Sequence, residues 1–327
     1  MRGAVPIVLI FSIALALALA LALAAPAHAA TTFTVRDADL PDPLVLVAYG
    51  DMRFTSPTES GATSPVARQA LVAKIAAENP AAIFINGDIP WHGIEADYAV
   101  FRDETRAWRE RHLRVFPALG NHEFSACLES ACLGHWWQTF PELRGRRWYS
   151  VALGARVVGI ELDTDTSLLP GSAQRLWLED QVATLDPQVR FVLIVMHHPP
   201  VADVQLRTNT DHNPRANEIT LAEYLKTVAP KSAVRFVVSA GHIHNYERFA
   251  RDGVVYLVSG GGGAAPYGVD RTPPDQYQSA DFPNYHYVRF ELHGDRAVGE
   301  MIRLADYAAV KPTLWQTRDR FEITLQP

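Results

Sequence analysis

The chain is a succession of short apolar runs, several of them closed by a glycine and then by a residue that can bind a metal. Residues 44–49, 82–86 and 114–119 are β-rich runs ending in Gly50-Asp51, Gly87-Asp88 and Gly120-Asn121-His122-Glu123. Residues 190–196 are continuously apolar, as in a strand buried on both faces, and lead into His197-His198-Pro199-Pro200. Residues 234–239 precede Gly241-His242-Ile243-His244. In extended backbone, residues i and i+2 point to one side, so His242 and His244 are expected to project together from a strand end.

Between these runs, apolar residues recur at helical spacing. Helices are predicted over 65–78, 95–112, 172–185 and about 215–228, with a shorter one at 135–140. Ser64 and Ser172 are N-cap candidates, and Pro65 suits a first helical position. Tyr98, Phe101 and Trp108 read as core. Residues 148–153 and 157–163 form a predicted hairpin turning at Gly154, and 254–259 a further strand before Gly260–Gly263. Runs at 285–292, 297–304 and 321–325 complete a strand-rich end. Strands alternating with helices, then strands alone, predict one α/β domain over 31–327 with two stacked sheets.

The composition allows a large core, since 48% of the 327 residues are hydrophobic. The formal net charge of −6 argues against a general nucleic-acid partner. It leaves a small anionic substrate open, because a bound metal can invert the local field. Residues 1–30 read as a cleaved signal peptide: Arg2, an apolar run over 5–24, and the A-x-A pattern Ala27-His28-Ala29. The run is also long enough for a membrane anchor. Cleavage near Ala29 or Ala30 would deliver the protein to the periplasm or medium, with no stable membrane association afterwards. Such compartments are oxidising. The two cysteines, Cys127 and Cys132, are therefore expected to be bridged; the alternative is two free thiols.

In open α/β folds, ligands gather at the carboxyl ends of strands. Asp51, Asp88, Asn121, His197, His242 and His244 all sit at such ends. Two carboxylates, an amide and three imidazoles form a borderline donor set that suits Fe, Zn, Mn or Co better than Ca. The set is too large for one tetrahedral ion, so two ions about 3.5–4 Å apart are the natural reading. Each preceding glycine is expected to let the backbone turn sharply. Gly260–Gly263 lacks the following Lys-Ser/Thr of a nucleotide loop and reads as close backbone packing beside the site.

These motifs, in this order, resemble the calcineurin-like metallophosphoesterases, above all their purple-acid-phosphatase-like branch, over about residues 44–265. The resemblance implies a four-layer αββα sandwich of two stacked mixed sheets and a dinuclear centre of divalent or trivalent ions. Asp88 would bridge, Asp51 and His244 would hold the first ion, and Asn121, His197 and His242 the second. It implies hydrolysis of phosphate esters by hydroxide formed at the metal pair. His122 would contact phosphate or act as general acid; alternatively it only orients Asp88 or Asn121.

Two positions depart from the pattern. Arg53 stands where many relatives have histidine, and Trp91 where the purple enzymes have tyrosine. Neither side chain is an ordinary metal ligand, so the first ion loses a protein ligand and no purple colour is expected. His92 is a candidate replacement, or a solvated loop histidine. Arg53 could instead meet the substrate phosphate with its planar fork. His198 reads as a non-ligand, and His212 as a substrate contact or a plain surface residue. The leading expectation is an exported phosphomonoesterase acting on small phosphate esters. The alternatives are a diesterase for cyclic nucleotides or phospholipids, and a degenerate homologue that binds phosphate-bearing ligands without turnover.

Overall fold

The computed structural model describes residues 32–59 and 61–325; the expected signal segment lies outside them. Thirteen strands form two sheets among the described residues. The six-stranded sheet runs β13-β12-β11-β2-β3-β4. Its members are β2 (Leu44–Tyr49), β3 (Ala82–Ile85), β4 (Val115–Pro117), β11 (His286–His293), β12 (Arg296–Leu304) and β13 (Trp315–Thr324). The seven-stranded sheet runs β1-β5-β6-β7-β8-β10-β9. It comprises β1 (Phe33–Val35), β5 (Tyr149–Leu153), β6 (Val157–Glu161), β7 (Phe191–Met196), β8 (Arg235–Ala240), β9 (Tyr246–Arg251) and β10 (Val254–Ser259). Both sheets are mixed: β2, β3 and β4 run parallel, as do β6, β7, β8 and β10, while β11, β5 and β9 join them antiparallel and β1 pairs parallel with β5.

Strand alternation sorts the apolar side chains into three layers. Leu46, Ala48 and Phe84 pack between the sheets against Leu193, Val195 and Val237. Val47, Tyr49 and Ile85 face the helices α1 (Pro65–Glu78), α2 (Glu95–Glu104), α3 (Arg106–Glu110) and α4 (Glu129–Thr139) through Leu71, Ile75, Tyr98, Trp108 and Trp136. Ile160, Val192 and Ile194 face α5 (Ala173–Ala183) and α6 (Ala216–Val228) through Leu178, Leu221 and Leu225. The result is helix, sheet, sheet, helix, the expected sandwich.

Local signals explain most boundaries. Ser64 Oγ accepts from the Ala67 N–H at 3.3 Å, Pro65 opens α1, and Asn79 closes it in the left-handed region at φ 50°. The single helix predicted over 95–112 is two, because Thr105 Oγ1 donates back to the Phe101 carbonyl at 2.6 Å; such back-bonding bends and breaks helices. Helix α4 is longer than predicted, since no capping side chain marks its start at Leu128. Cys127 and Cys132, at that start, form a disulfide with Cα atoms 5.7 Å apart.

Glu161 is a misfit within the core. It ends β6 on the side of Val157 and Gly159, between the sheets, fully buried, and neither carboxylate oxygen has a partner. Burial pushes its acid well above the ordinary carboxyl range. A carboxyl raised in this way contributes stability that is complete below its unfolded value, about 4.3. That contribution is lost as pH climbs toward the folded value. Glu161→Gln cannot ionise, so its stability relative to wild type should improve as pH rises above about 4.3. Denaturation midpoints at several pH values check this; a pH-independent difference would contradict it.

Candidate metal centre

The parallel strands of both sheets deliver their carboxyl ends to one edge of the sandwich. Asp51 follows β2, Asp88 follows β3, Asn121 follows β4, His197 follows β7, and His242 and His244 follow β8. Of the glycines that precede these residues, Gly87 turns in the left-handed region at φ 84°, whereas Gly50, Gly120 and Gly241 do not. The ligand-type residues themselves take the left-handed conformation: φ is 61° at Asp51, 56° at Asp88 and 68° at His242, with Arg53 at 51°. Such conformations are costly for residues with a Cβ and cluster at functional sites. The glycines also provide room. A Cβ on Gly241 would run into Asp51 Oδ2, and one on Gly87 would lie 2.8 Å from His197 Nδ1.

His242 and His244 do not share one extended strand. Strand β8 ends at Ala240, and His242 is left-handed rather than extended. The two imidazoles join different donor groups. Donor atoms of Asp51, Asp88 and His244 lie within 4.8 Å of one another, and so do those of His197, His198 and His242. His198, read from sequence as a non-ligand, thus belongs to the second group, where its Nδ1 meets Thr164 Oγ1 at 2.7 Å.

Asp88 links the groups. Its Oδ1 lies 3.3 Å from His197 Nε2 and accepts the His122 N–H at 3.0 Å; its Oδ2 lies 3.3 Å from an Arg53 guanidinium nitrogen. Burial pushes the Asp88 acid upward, but His197, His122 and Arg53 outweigh it and hold the carboxyl well below its usual range. Asn121 Oδ1 is 2.9 Å from His197 Nε2, and His242 Nδ1 is 3.3 Å from the same atom. His197 Nδ1 is within 2.9 Å of the Asn86 carbonyl, and His244 Nδ1 within 2.7 Å of the Ala265 carbonyl. Both carbonyls can only accept, so Nδ1 carries the proton and Nε2 presents a lone pair in each ring.

These arrangements fit metal ions. His244 Nε2 is buried, 3.5 Å from Asp51 Oδ1, and has no hydrogen-bond partner. His197 Nε2 faces carboxylate and amide oxygens, lone pair toward lone pair. Burial, then the neighbouring imidazoles, pulls His242 far below its ordinary value, and pushes His198 down to about 2. Neutral imidazoles and an ionised Asp88 are the forms that ligate.

The remaining residues surround this centre. His122 Nε2 lies 3.9 Å from Asp88 Oδ2. His212 packs its ring over His242 at 4.7 Å and beside Tyr267 at 4.9 Å. His92 sits against Trp91 and Asp97, with Nδ1 3.5 Å from the Asp97 carboxylate. It belongs to neither donor group. Two further residues were given no role from sequence. Tyr267 donates its hydroxyl proton to the His242 carbonyl at 2.8 Å. Glu123 is fully buried and accepts the backbone N–H groups of Asp88, Ile89 and Gly120 at 3.1, 2.8 and 2.8 Å, clamping two site loops together.

Comparison with known proteins agrees with this geometry. The calcineurin-like phosphoesterase family model matches residues 62–246. Over 174 residues the chain is 33% identical to a probable purple acid phosphatase 20 of Arabidopsis thaliana, covering 48% of this chain and 38% of that relative. Among solved structures, purple acid phosphatase PPD1 from yellow lupin (Lupinus luteus) seeds superposes with a TM-score of 0.69 at 18% identity, over 88% of this chain and 55% of that one. A dimetal phosphatase from Danio rerio does so with a TM-score of 0.57 at 17% identity, over 87% and 100%. The two structural matches share the fold, while the family match spans the ligand-bearing loops from Asp88 to His244. The chain belongs to the calcineurin-like phosphoesterase family.

Proposed function

We propose that this chain is an exported phosphoesterase that hydrolyses phosphate monoesters at a two-metal centre. One observation carries the reading: two groups of metal-type donors meet at one edge of the sandwich, and Asp88 reaches both. Asp51, Asp88 and His244 would hold one ion, and Asp88, Asn121, His197 and His242 the other, with Fe, Zn, Mn or Co suited to these donors. Bound there, the ions would neutralise phosphate oxygens and acidify a water nucleophile. The chain's own groups supply the rest. Arg53 extends a guanidinium into the site beside Asp88 and can receive a phosphate oxygen. His122 Nε2 is placed to donate a proton to the leaving oxygen. The A-x-A pattern before Thr31 and the Cys127–Cys132 bridge both support export. The formal net charge favours a small phosphate ester over nucleic acid.

The test is a comparison of nitrophenyl phosphate with bis-nitrophenyl phosphate, using the metal-loaded protein. Faster release from the monoester is expected. A diester preference would move the reading to a diesterase. No turnover of either, with phosphate still bound, would mark a degenerate homologue.

A further inference from the structure

Trp91 lies against the centre, yet nothing proposed above uses its indole. That indole stacks on the His122 imidazole, with centroids 4.6 Å apart and planes 24° from parallel. The Trp91 carbonyl receives the His122 Nδ1–H at 2.6 Å and the Ser125 hydroxyl at 3.0 Å. The Arg53 guanidinium carbon lies 5.0 Å from the centre of the same indole. Arg53 is itself held from behind, since buried Arg68 donates to its carbonyl at 3.2 Å. One side chain therefore touches both non-ligand groups that face Asp88.

We propose that Trp91 is a positioning residue: its indole locks His122 in the orientation that protonates the leaving oxygen, and supports Arg53 beside it. The inference rests on the hydrolase reading. With Nδ1–H committed to the Trp91 carbonyl, Nε2 is the nitrogen left for the cleft, on the Asp88 side. A single hydrogen bond leaves the ring free to twist; the stacked indole removes that freedom. The step itself balances. A water oxygen bonds to phosphorus and releases its proton to solvent. The bond from phosphorus to the leaving oxygen breaks, and that oxygen departs with the bonding pair. It takes the proton from His122 Nε2, which is reprotonated from solvent.

Leaving-group dependence separates positioning from a merely structural role. Esters from dinitrophenyl to alkyl phosphate would be compared in wild type, W91A, W91F, W91L, H122A and W91A/H122A. A displacement of about 1 Å at a catalytic group costs on the order of 100-fold. W91A should lose about that much kcat/KM on an alkyl phosphate and only a few-fold on dinitrophenyl phosphate, whose oxygen leaves without a proton. W91F should recover most of the loss, because a stacking ring remains. W91L keeps bulk without a ring and should behave as W91A, which covers a failure of W91A to fold. In H122A the W91A substitution should cost, on the alkyl ester, no more than the few-fold that losing the support of Arg53 takes from every ester. Independently of turnover, the His122 ring protons should resonate upfield in wild type and move downfield in W91L. A loss equal across all esters, or a loss of about 100-fold on the alkyl ester that persists in H122A, would overturn the positioning role alone. A wild type inert toward every ester would overturn the hydrolase reading and this inference with it.

Discussion

Asp88→Asn is expected to empty both metal positions and abolish hydrolysis while leaving the fold intact. Asparagine keeps the shape of aspartate and tolerates the left-handed backbone found at φ 56°, so the backbone has no cause to move. The charge is what disappears. The carboxylate is fully buried, with one oxygen toward His197 and the other toward Arg53. An amide would put N–H groups on one of those sides, donor against guanidinium or against an imidazole that must ligate. Losing a partner that only orients a ligand costs about 10–100-fold in metal affinity, so losing the shared ligand should exceed the upper end of that range. Elemental analysis alongside circular dichroism checks this. Two tightly bound ions in folded Asp88→Asn would refute the bridging role.

His122→Ala should do the opposite: keep its metals and lose rate. The His122 side chain lies 3.9 Å from Asp88 Oδ2, beyond hydrogen-bond distance. The bond that matters to Asp88 comes from the His122 backbone N–H, which alanine retains. General acid catalysis contributes about 100- to 10,000-fold, so a loss of that order is expected on esters with poor leaving groups. The wild-type pH profile carries a sign as well. Burial lowers the imidazole below its ordinary value, Asp88 works against this, and Arg53 adds to it. The protonated donor is therefore lost as pH rises through a value below about 6.5. Rates should fall from acidic toward neutral pH in wild type, and this limb should vanish in His122→Ala. An unchanged profile, or metal loss in His122→Ala, would assign the residue to site assembly instead.

The central strands were legible because each is buried on both faces and appears as an unbroken apolar run. The donor residues were legible because each follows such a run directly. Other features depend on contacts made across the fold. Strand β9 was hidden because Glu247, Arg248 and Arg251 break any apolar pattern; buried Glu247 is satisfied only by the distant Asp203 N–H at 2.7 Å. The division of His242 from His244 arises from a left-handed residue that local propensity does not announce. His198 joins the second group because Thr164, thirty-four positions earlier, holds its ring. Tyr267 carries no spacing signal, and Glu123, although visible in its motif, shows its clamp only through the Asp88 and Ile89 N–H groups on another loop.

Stripping the protein of metal and titrating ions back, while counting bound metal per chain and phosphate released, tests the two-metal claim most directly. The account predicts that activity returns with added Mn, Zn, Co or Fe and reaches its maximum as binding approaches two ions per chain. The Asp51–His244 position should fill last, because Arg53 competes there for Asp88. Full turnover in the metal-free protein, or two bound ions with no phosphate released from any ester, would contradict it.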